Sequence, residues 1–215
     1  MPPAIRTLEK PPGPRGPAGG GDWDRPGPGG DGALPPPRGG THPARIGVWL
    51  LMGAITILFV AFTSTYLARR GQSDWRIGPL PPLLWVNTAL LIASSLALEQ
   101  ARRGARQDRP ATVRSSLSAA TLLGIGFVVG QVAAWRQLAA AGVFMASNPH
   151  AAFFYLLTGT HALHVAGGIC ALVYALLRTR HLTGAAALDV VEPAATYWHF
   201  VDGLWIYLFA ILFWV

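Results

Sequence analysis

Hydrophobic residues along the 215-residue chain are concentrated in five long runs, separated by shorter polar segments in which arginine is common. Each run approaches the roughly 20 residues that a helix needs to cross a hydrocarbon layer about 30 Å thick. The runs lack the apolar–polar alternation that marks membrane-spanning strands. The pattern therefore predicts an all-α, polytopic membrane helix bundle with five transmembrane helices. The predicted spans are approximately Ile46–Ala68, Leu83–Leu98, Ser115–Leu138, Ala151–Leu177 and Thr196–Val215.

The first 44 residues differ sharply in composition from the rest of the chain. Pro and Gly account for 23 of them, and the segment contains no apolar run that could form a core. Such a composition buries too little surface to offset the conformational entropy that is lost on ordering. We therefore predict a disordered, cytoplasmic Pro/Gly-rich tail over residues 1–44, followed by one transmembrane domain over residues 45–215.

Basic residues are distributed unevenly between the two sides that the five spans define. The tail and the segments after the second and fourth spans hold 13 of the 17 Lys and Arg residues, and the other two segments hold four. Basic loops tend to stay on the cytoplasmic side of a membrane, so the N-terminus is predicted inside and the C-terminus outside. Topology and contact with anionic lipid headgroups thus explain the formal charge of +7, and nucleic acid is not an expected partner.

A small set of polar side chains falls inside the predicted spans or at their edges, where burial of such groups is costly. Imidazole nitrogens could ligate a heme or a metal, or the same groups could form hydrogen bonds between helices. Depth favours hydrogen bonding: His164 lies about 20 Å from the inner end of its span and His199 only about 5 Å, at about 1.5 Å per residue. One iron held by both side chains would require them to lie at the same level. The candidate interhelical or lipid-contact residues are Asn87, Gln131, His161, His164, Glu192, His199 and Asp202.

Glu192 stands directly before Pro193, at the predicted inner edge of the last span. Proline is common in the first turn of a helix, and an acidic residue there is favoured by the helix dipole. The pair predicts that the last helix begins at Pro193 with Glu192 as a capping residue; contact with a lipid headgroup or a partner is the alternative. The sequence contains no nucleophile–base arrangement, phosphate-binding Gly loop or CxxC motif, so no catalytic site is predicted in this chain.

Two motifs in the last two spans together resemble the C-terminal helices of cytochrome c oxidase subunit III. They are TGTHALHV at 158–165, and Glu192 followed by YWHFVD at 197–202. Weaker supporting similarities are LWVNTALL at 84–91, RIGVW at 45–49 and Gln131. Because five spans are predicted, the chain resembles the short bacterial form of that family, which lacks the first two helices of longer members.

The resemblance implies an accessory, cofactor-free subunit of a heme–copper terminal oxidase in a bacterial inner membrane. Such a complex serves aerobic respiration, because it transfers electrons from cytochrome c, or from quinol, to oxygen and pumps protons. Heme and copper would reside in partner subunits, so this chain would be a non-catalytic part of the enzyme that packs on subunit I, alongside subunit II, and holds phospholipid. Two acidic positions of the family are occupied by Ile55 and Ala134 here, so no role of those carboxylates is expected.

Several alternatives remain open at this point. The chain could be the corresponding subunit of a quinol oxidase or an accessory subunit of a nitric-oxide reductase, in which similar helices occur. His161, His164 and His199 could instead belong to an independent b-type membrane cytochrome. Intramembrane His and Asp could also serve a small transporter, although the sequence shows no internal repeat and no pair of broken helices.

Overall fold

A computed structural model describes residues 43–75 and 81–214 of the chain, which form five α-helices and no β-strand. All five helices are long and apolar enough to cross a membrane, which confirms the predicted all-α, five-span organisation. The prediction of a disordered tail concerns residues that lie outside the described part, apart from Pro43 and Ala44. The helices are α1 (Pro43–Arg69), α2 (Leu83–Arg106), α3 (Pro110–Ala140), α4 (Pro149–Arg178) and α5 (Gly184–Trp214).

Local signals fix where several of the helices begin and end. α3 and α4 each start with a proline, whose missing N–H is not needed in the first turn of a helix. Asn148 caps α4, because its side-chain oxygen accepts a hydrogen bond from the backbone N–H of Ala151 at 2.9 Å. Gly142 follows the end of α3 with a φ of +77°, a left-handed conformation that glycine adopts without steric penalty.

The predicted start of the last helix at Pro193 is wrong. α5 begins well before it, at Gly184, and passes through Pro193. Proline inside a helix removes one backbone hydrogen bond, a loss that membrane helices tolerate where neighbouring helices support the backbone. Val191 and Ala194, on either side of Pro193, are both buried. Packing of this segment against the bundle therefore outweighs the missing bond.

Helices α2 to α5 form a closed bundle in which α2 packs on α3, α3 on α4, α4 on α5 and α5 on α2. α1 lies beside this bundle and packs on α4 and α5. α5 thus packs on three other helices, α1, α2 and α4. The largest fully buried side chains are aromatic: Phe59, Tyr66, Phe127, Phe154, Trp198 and Trp205.

Two glycines allow the indole ring of Trp198 to reach both α3 and α4. The side chain is 1% exposed, and its ring lies directly against Gly124 of α3 and Gly168 of α4. A Cβ atom on Gly168 would lie 2.9 Å from Trp198 Cε3, which is closer than two carbon atoms normally approach. Small residues are a common means of close helix contact in membranes, and here they create the space for one large side chain.

Candidate functional site

Asn87 and Gln131 meet in the contact between α2 and α3. Asn87 Nδ2 donates a hydrogen bond to Gln131 Oε1 at 3.3 Å, and both side chains are completely buried. Gly130 lies directly against the Asn87 side-chain amide, so the space beside this pair has no room for a larger residue. The two amides therefore join α2 to α3 inside the apolar core.

His161 is completely buried in α4, among aromatic rings from α3 and α5. Its ring lies 5.1 Å from that of Trp205 at an angle of 33°, and 5.8 Å from that of Phe127 at 88°. Neither ring nitrogen has a hydrogen-bond partner among the described residues. Trp205 is itself oriented by a bond from its Nε1 to Thr88 Oγ1 of α2 at 2.9 Å. His161 thus belongs to an aromatic stack that connects several helices.

His164 lies one turn further along α4 and faces different neighbours. Its Nδ1 is 2.7 Å from the carbonyl oxygen of Thr160, within the same helix. Its ring packs edge-on against Phe59 of α1, with 5.7 Å between the ring centres. The backbone carbonyl of His164 accepts a hydrogen bond from the Tyr197 hydroxyl of α5 at 3.2 Å. This residue therefore contacts both α1 and α5.

His199 and Asp202 lie on the side of α5 that faces α2, and Ser95 of α2 lies between them. His199 Nδ1 and Ser95 Oγ are 2.5 Å apart. The Ser95 hydroxyl also lies beside the Asp202 carboxyl, although no Asp202 oxygen has the geometry of a hydrogen bond with any described residue. Sequence analysis did not predict this contact of Ser95. The sequence does place Ser95 four residues before Glu99, hence on the same face of α2. This spacing could have marked Ser95 as part of a polar face of that helix.

Glu192 lies inside α5 rather than at its start, so its predicted role as a capping residue is wrong. Its carboxylate is 2.5 Å from Arg45 of α1 and 3.6 Å from Arg102 of α2, with Arg106 at 3.9 Å. Glu99 of α2 forms further ion pairs with Arg102 at 2.9 Å and with Arg103 at 3.3 Å. These charges join three helices at one end of the bundle. We call it the arginine-rich end, defined by Arg45, Glu99, Arg102, Arg103, Arg106 and Glu192.

The three intramembrane histidines do not converge on one point. His161 stacks on Trp205, whereas His199 lies six residues closer to the arginine-rich end along α5, or about 9 Å at about 1.5 Å per residue. Within residues 43–75 and 81–214, no group of three or more His, Cys, Asp or Glu side chains is arranged to hold a metal ion. Ile55 and Ala134 are both buried in the apolar core.

An apolar groove of about 380 Å³ opens between α1, α4 and α5 near the arginine-rich end. A smaller pocket of about 210 Å³ adjoins it, because the two share Val48 and Pro193 in their walls. Arg45 and Glu192 line the smaller pocket, which therefore places charged groups beside an apolar cleft. The remaining walls of the groove include Leu51, Gly167, Ala171, Tyr174, Asp189, Val190, Ala194 and Tyr197.

Five helices able to cross a membrane, with hydrogen bonds and ion pairs between them, define a multi-pass helical membrane protein. The family model described as cytochrome c oxidase subunit III matches residues 73–215. The chain belongs to this family, whose members are subunits of cytochrome c oxidase, an oxidoreductase complex. This finding confirms the family that the sequence motifs suggested.

Individual relatives agree with the family match. A probable cytochrome c oxidase subunit 3 of Nocardia farcinica is 31% identical over 177 residues, which cover 79% of this chain and 87% of that protein. Cytochrome c oxidase subunit 3 of Bacillus sp. strain PS3 is 28% identical, over 78% of this chain and 84% of its own. The Synechocystis protein of the same name is 31% identical, over 78% and 73% respectively.

Proposed function

We propose that this chain is an accessory, cofactor-free subunit of a heme–copper terminal oxidase that transfers electrons from cytochrome c to oxygen and translocates protons. The observation that carries the proposal is the family match over residues 73–215, which includes all of α2 to α5. The relatives at 31% identity are named as cytochrome c oxidase subunits, which favours cytochrome c over quinol as the donor. The chain itself would pack against the catalytic subunit and stabilise the complex, and its partner subunits would carry the redox centres.

Purification of a tagged chain tests this assignment. Mild detergent extraction is expected to recover a larger, heme-containing subunit together with the tagged protein, and the complex is expected to oxidise cytochrome c. Recovery of the chain alone would contradict the proposal. Activity with quinol but not with cytochrome c would assign the chain to a quinol oxidase instead.

The absence of a resident cofactor is a separate part of the proposal, with its own test. Its support is the engagement of the histidines with protein groups: His161 stacks on Trp205, His164 bonds to Thr160, and His199 bonds to Ser95. The isolated chain is expected to show no heme absorption band near the Soret region. A stoichiometric Soret band in the isolated chain would support an independent membrane cytochrome.

We assign the seven polar candidates to contacts between helices or with lipid. Contacts between helices are supported by the hydrogen bond from Asn87 to Gln131. They are also supported by the ion pairs of Glu192 with Arg45 and Arg102. The groove between α1, α4 and α5 supports lipid binding, because an acyl chain fits an apolar cleft and a phosphate fits the neighbouring Arg45. Lipid analysis of the purified complex should therefore detect phospholipid that survives delipidating washes.

The distribution of basic residues supports an orientation with the N-terminus in the cytoplasm and the C-terminus outside, in a bacterial inner membrane. The arginine-rich end would then face the cytoplasm. A reporter enzyme that is active only on the non-cytoplasmic side of the membrane, fused to the C-terminus, tests this orientation. Activity of the C-terminal fusion is the expected result, and activity only of a fusion at the N-terminus would reverse the assignment.

A further inference from the structure

Asp202 is the one acidic side chain that is buried among the described residues, with 6% of its surface exposed. Neither of its carboxyl oxygens has a hydrogen-bond partner in that part of the chain, and the ion pairs formed there do not include it. It lies ten residues along α5 from Glu192, or about 15 Å at about 1.5 Å per residue. Among the described residues, neither a hydrogen bond nor an ion pair between helices therefore satisfies the Asp202 carboxyl.

A line of polar groups leads from the arginine-rich end to Asp202 along the contact between α2 and α5. Glu99 and Arg102 lie about one and two helical turns from Ser95 along α2, toward the arginine-rich end. His199 in turn contacts the Ser95 hydroxyl, which lies beside the carboxyl of Asp202. His199 and Ser95 are partly exposed, whereas Asp202 is not. The line thus begins at partly exposed groups and ends at an enclosed acid.

A carboxylate without a partner is costly to bury in an apolar interior, whereas the neutral acid carries no charge. We propose that Asp202 is an intramembrane proton-binding site, loaded from the aqueous phase at the arginine-rich end through His199 and Ser95. In one transfer, His199 starts with its proton on Nδ1, takes a proton from water on Nε2 and passes its Nδ1 proton to Ser95 Oγ, whose own proton moves to Asp202. A second transfer requires His199 to return to the Nδ1–H tautomer. No electrons are transferred, and one proton leaves the water for each proton bound.

Three other titratable groups on the helices that pack on α5 are engaged elsewhere. Arg45 of α1 is ion-paired at the arginine-rich end. On α4, His161 stacks on Trp205, about one turn beyond Asp202, and has no hydrogen-bonded link to described residues. His164 has its Nδ1 bonded to a carbonyl of its own helix. The route through His199 is therefore the one that the side-chain contacts provide.

The protonated state is tested on the unmodified full-length chain in its native membrane. An apolar carbodiimide adds to protonated carboxyl groups and leaves a stable N-acylurea that peptide mass spectrometry locates. The adduct is expected on Asp202, at higher occupancy than on Glu192, which is ion-paired at the arginine-rich end. Absence of the adduct from Asp202 overturns the proposal. This readout concerns Asp202 itself, so it stands or falls independently of the proposed oxidase role.

The route is tested by infrared spectroscopy. After the protein is transferred from H₂O into D₂O, the shift of the C=O band of the protonated Asp202 carboxyl gives its rate of hydrogen–deuterium exchange. The band is assigned as the one lost in Asp202→Asn or, if that variant does not assemble, the one lost on carbodiimide treatment. Ser95→Ala is expected to slow exchange by about two orders of magnitude, the low end of what a positioned proton-transfer group contributes. Thr121→Ala removes a buried hydroxyl of α3 whose hydrogen bond goes to the Leu117 carbonyl of its own helix, so this control should leave the rate unchanged. Equal rates in the two variants overturn the proposed route.

Discussion

The indole Nε1 of Trp198 donates a hydrogen bond to the Ser94 hydroxyl oxygen at 2.8 Å, across the contact between α5 and α2. Both side chains are buried, so neither polar atom could find water if the other were removed. The face of the same indole ring packs against Gly168 of α4. One side chain therefore joins three helices, through a polar edge and an apolar face.

The first prediction concerns the space that Gly168 leaves for the Trp198 ring. In Gly168→Ala the new methyl group would lie 2.9 Å from Trp198 Cε3, and we expect a loss of about 1–3 kcal/mol, as for other overpacked cores. Gly159→Ala, on the same helix, is the matched control, because nothing lies within 4 Å of its added methyl group. Thermal unfolding of the purified complex should separate the two variants. Equal midpoints would show that the ring does not need this space.

A second prediction concerns the amide pair between α2 and α3. Gln131→Leu alone leaves the buried Asn87 amide without its acceptor, which we expect to cost about 1–3 kcal/mol. Asn87→Ala together with Gln131→Leu should cost less than the sum of the two single changes. The coupling energy from a double-mutant cycle should be about 0.6 kcal/mol, the typical value between membrane helices. Strict additivity would mean that the bond contributes nothing to stability.

The ion pairs at the arginine-rich end lead to a third prediction. Glu192→Gln removes a charge that joins α5 to Arg45 of α1, and we expect hydrogen exchange to accelerate over the first turns of α1. The effect should be no more than about fivefold, because a partly exposed ion pair is worth about 1 kcal/mol or less. Glu99→Gln is the control, since the ion pairs that Glu99 forms among the described residues are with arginines of its own helix. Equal acceleration of α1 exchange in both variants would rule out a specific link.

The fourth prediction tests the apolar groove as a lipid site. Ala171→Phe adds a ring to the wall of this cleft of about 380 Å³, so the purified complex should lose on the order of one tightly held phospholipid. Ala166→Phe places the same ring on an exposed position of the same helix, outside the groove. Lipid phosphorus per complex, measured after detergent washing, should fall only in the first variant. An equal lipid content in both would exclude the groove as the binding site.

The number and type of helices could be predicted from the sequence because each span is a long apolar run. The limits of α5 could not, because Pro193 is a strong local signal for a helix start, whereas buried neighbours such as Val191 carry the helix through it. The role of Glu192 was misjudged for the same reason. Once Pro193 lies inside the helix, the preceding acid faces a neighbour instead of capping an end.

The partners of the polar residues were also beyond what the sequence could predict. Asn87 and Gln131 are 44 positions apart, and their bond depends on which helices are neighbours and on how they are rotated. The small set of polar residues within the spans could nevertheless be identified, because each interrupts an apolar run. The positions of the polar residues along the chain are therefore predictable from the sequence. The packing of α2 against α3 and α5 determines which of these residues contact one another.

The position of α1 beside the bundle has a consequence for how the protein is made. Translation proceeds from the N-terminus, yet Arg45 and Thr63 of α1 bind Glu192 and Tyr207, which follow 147 and 144 residues later. The α2–α3 pair, by contrast, can associate as soon as both helices are in the bilayer. During synthesis α1 can pack on α4 as soon as α4 is in the bilayer, but its bonds to Glu192 and Tyr207 cannot form until α5 is inserted. The attachment of α1 is therefore completed late, and a ribosome that stalls before α5 would leave α1 without its contacts to α5.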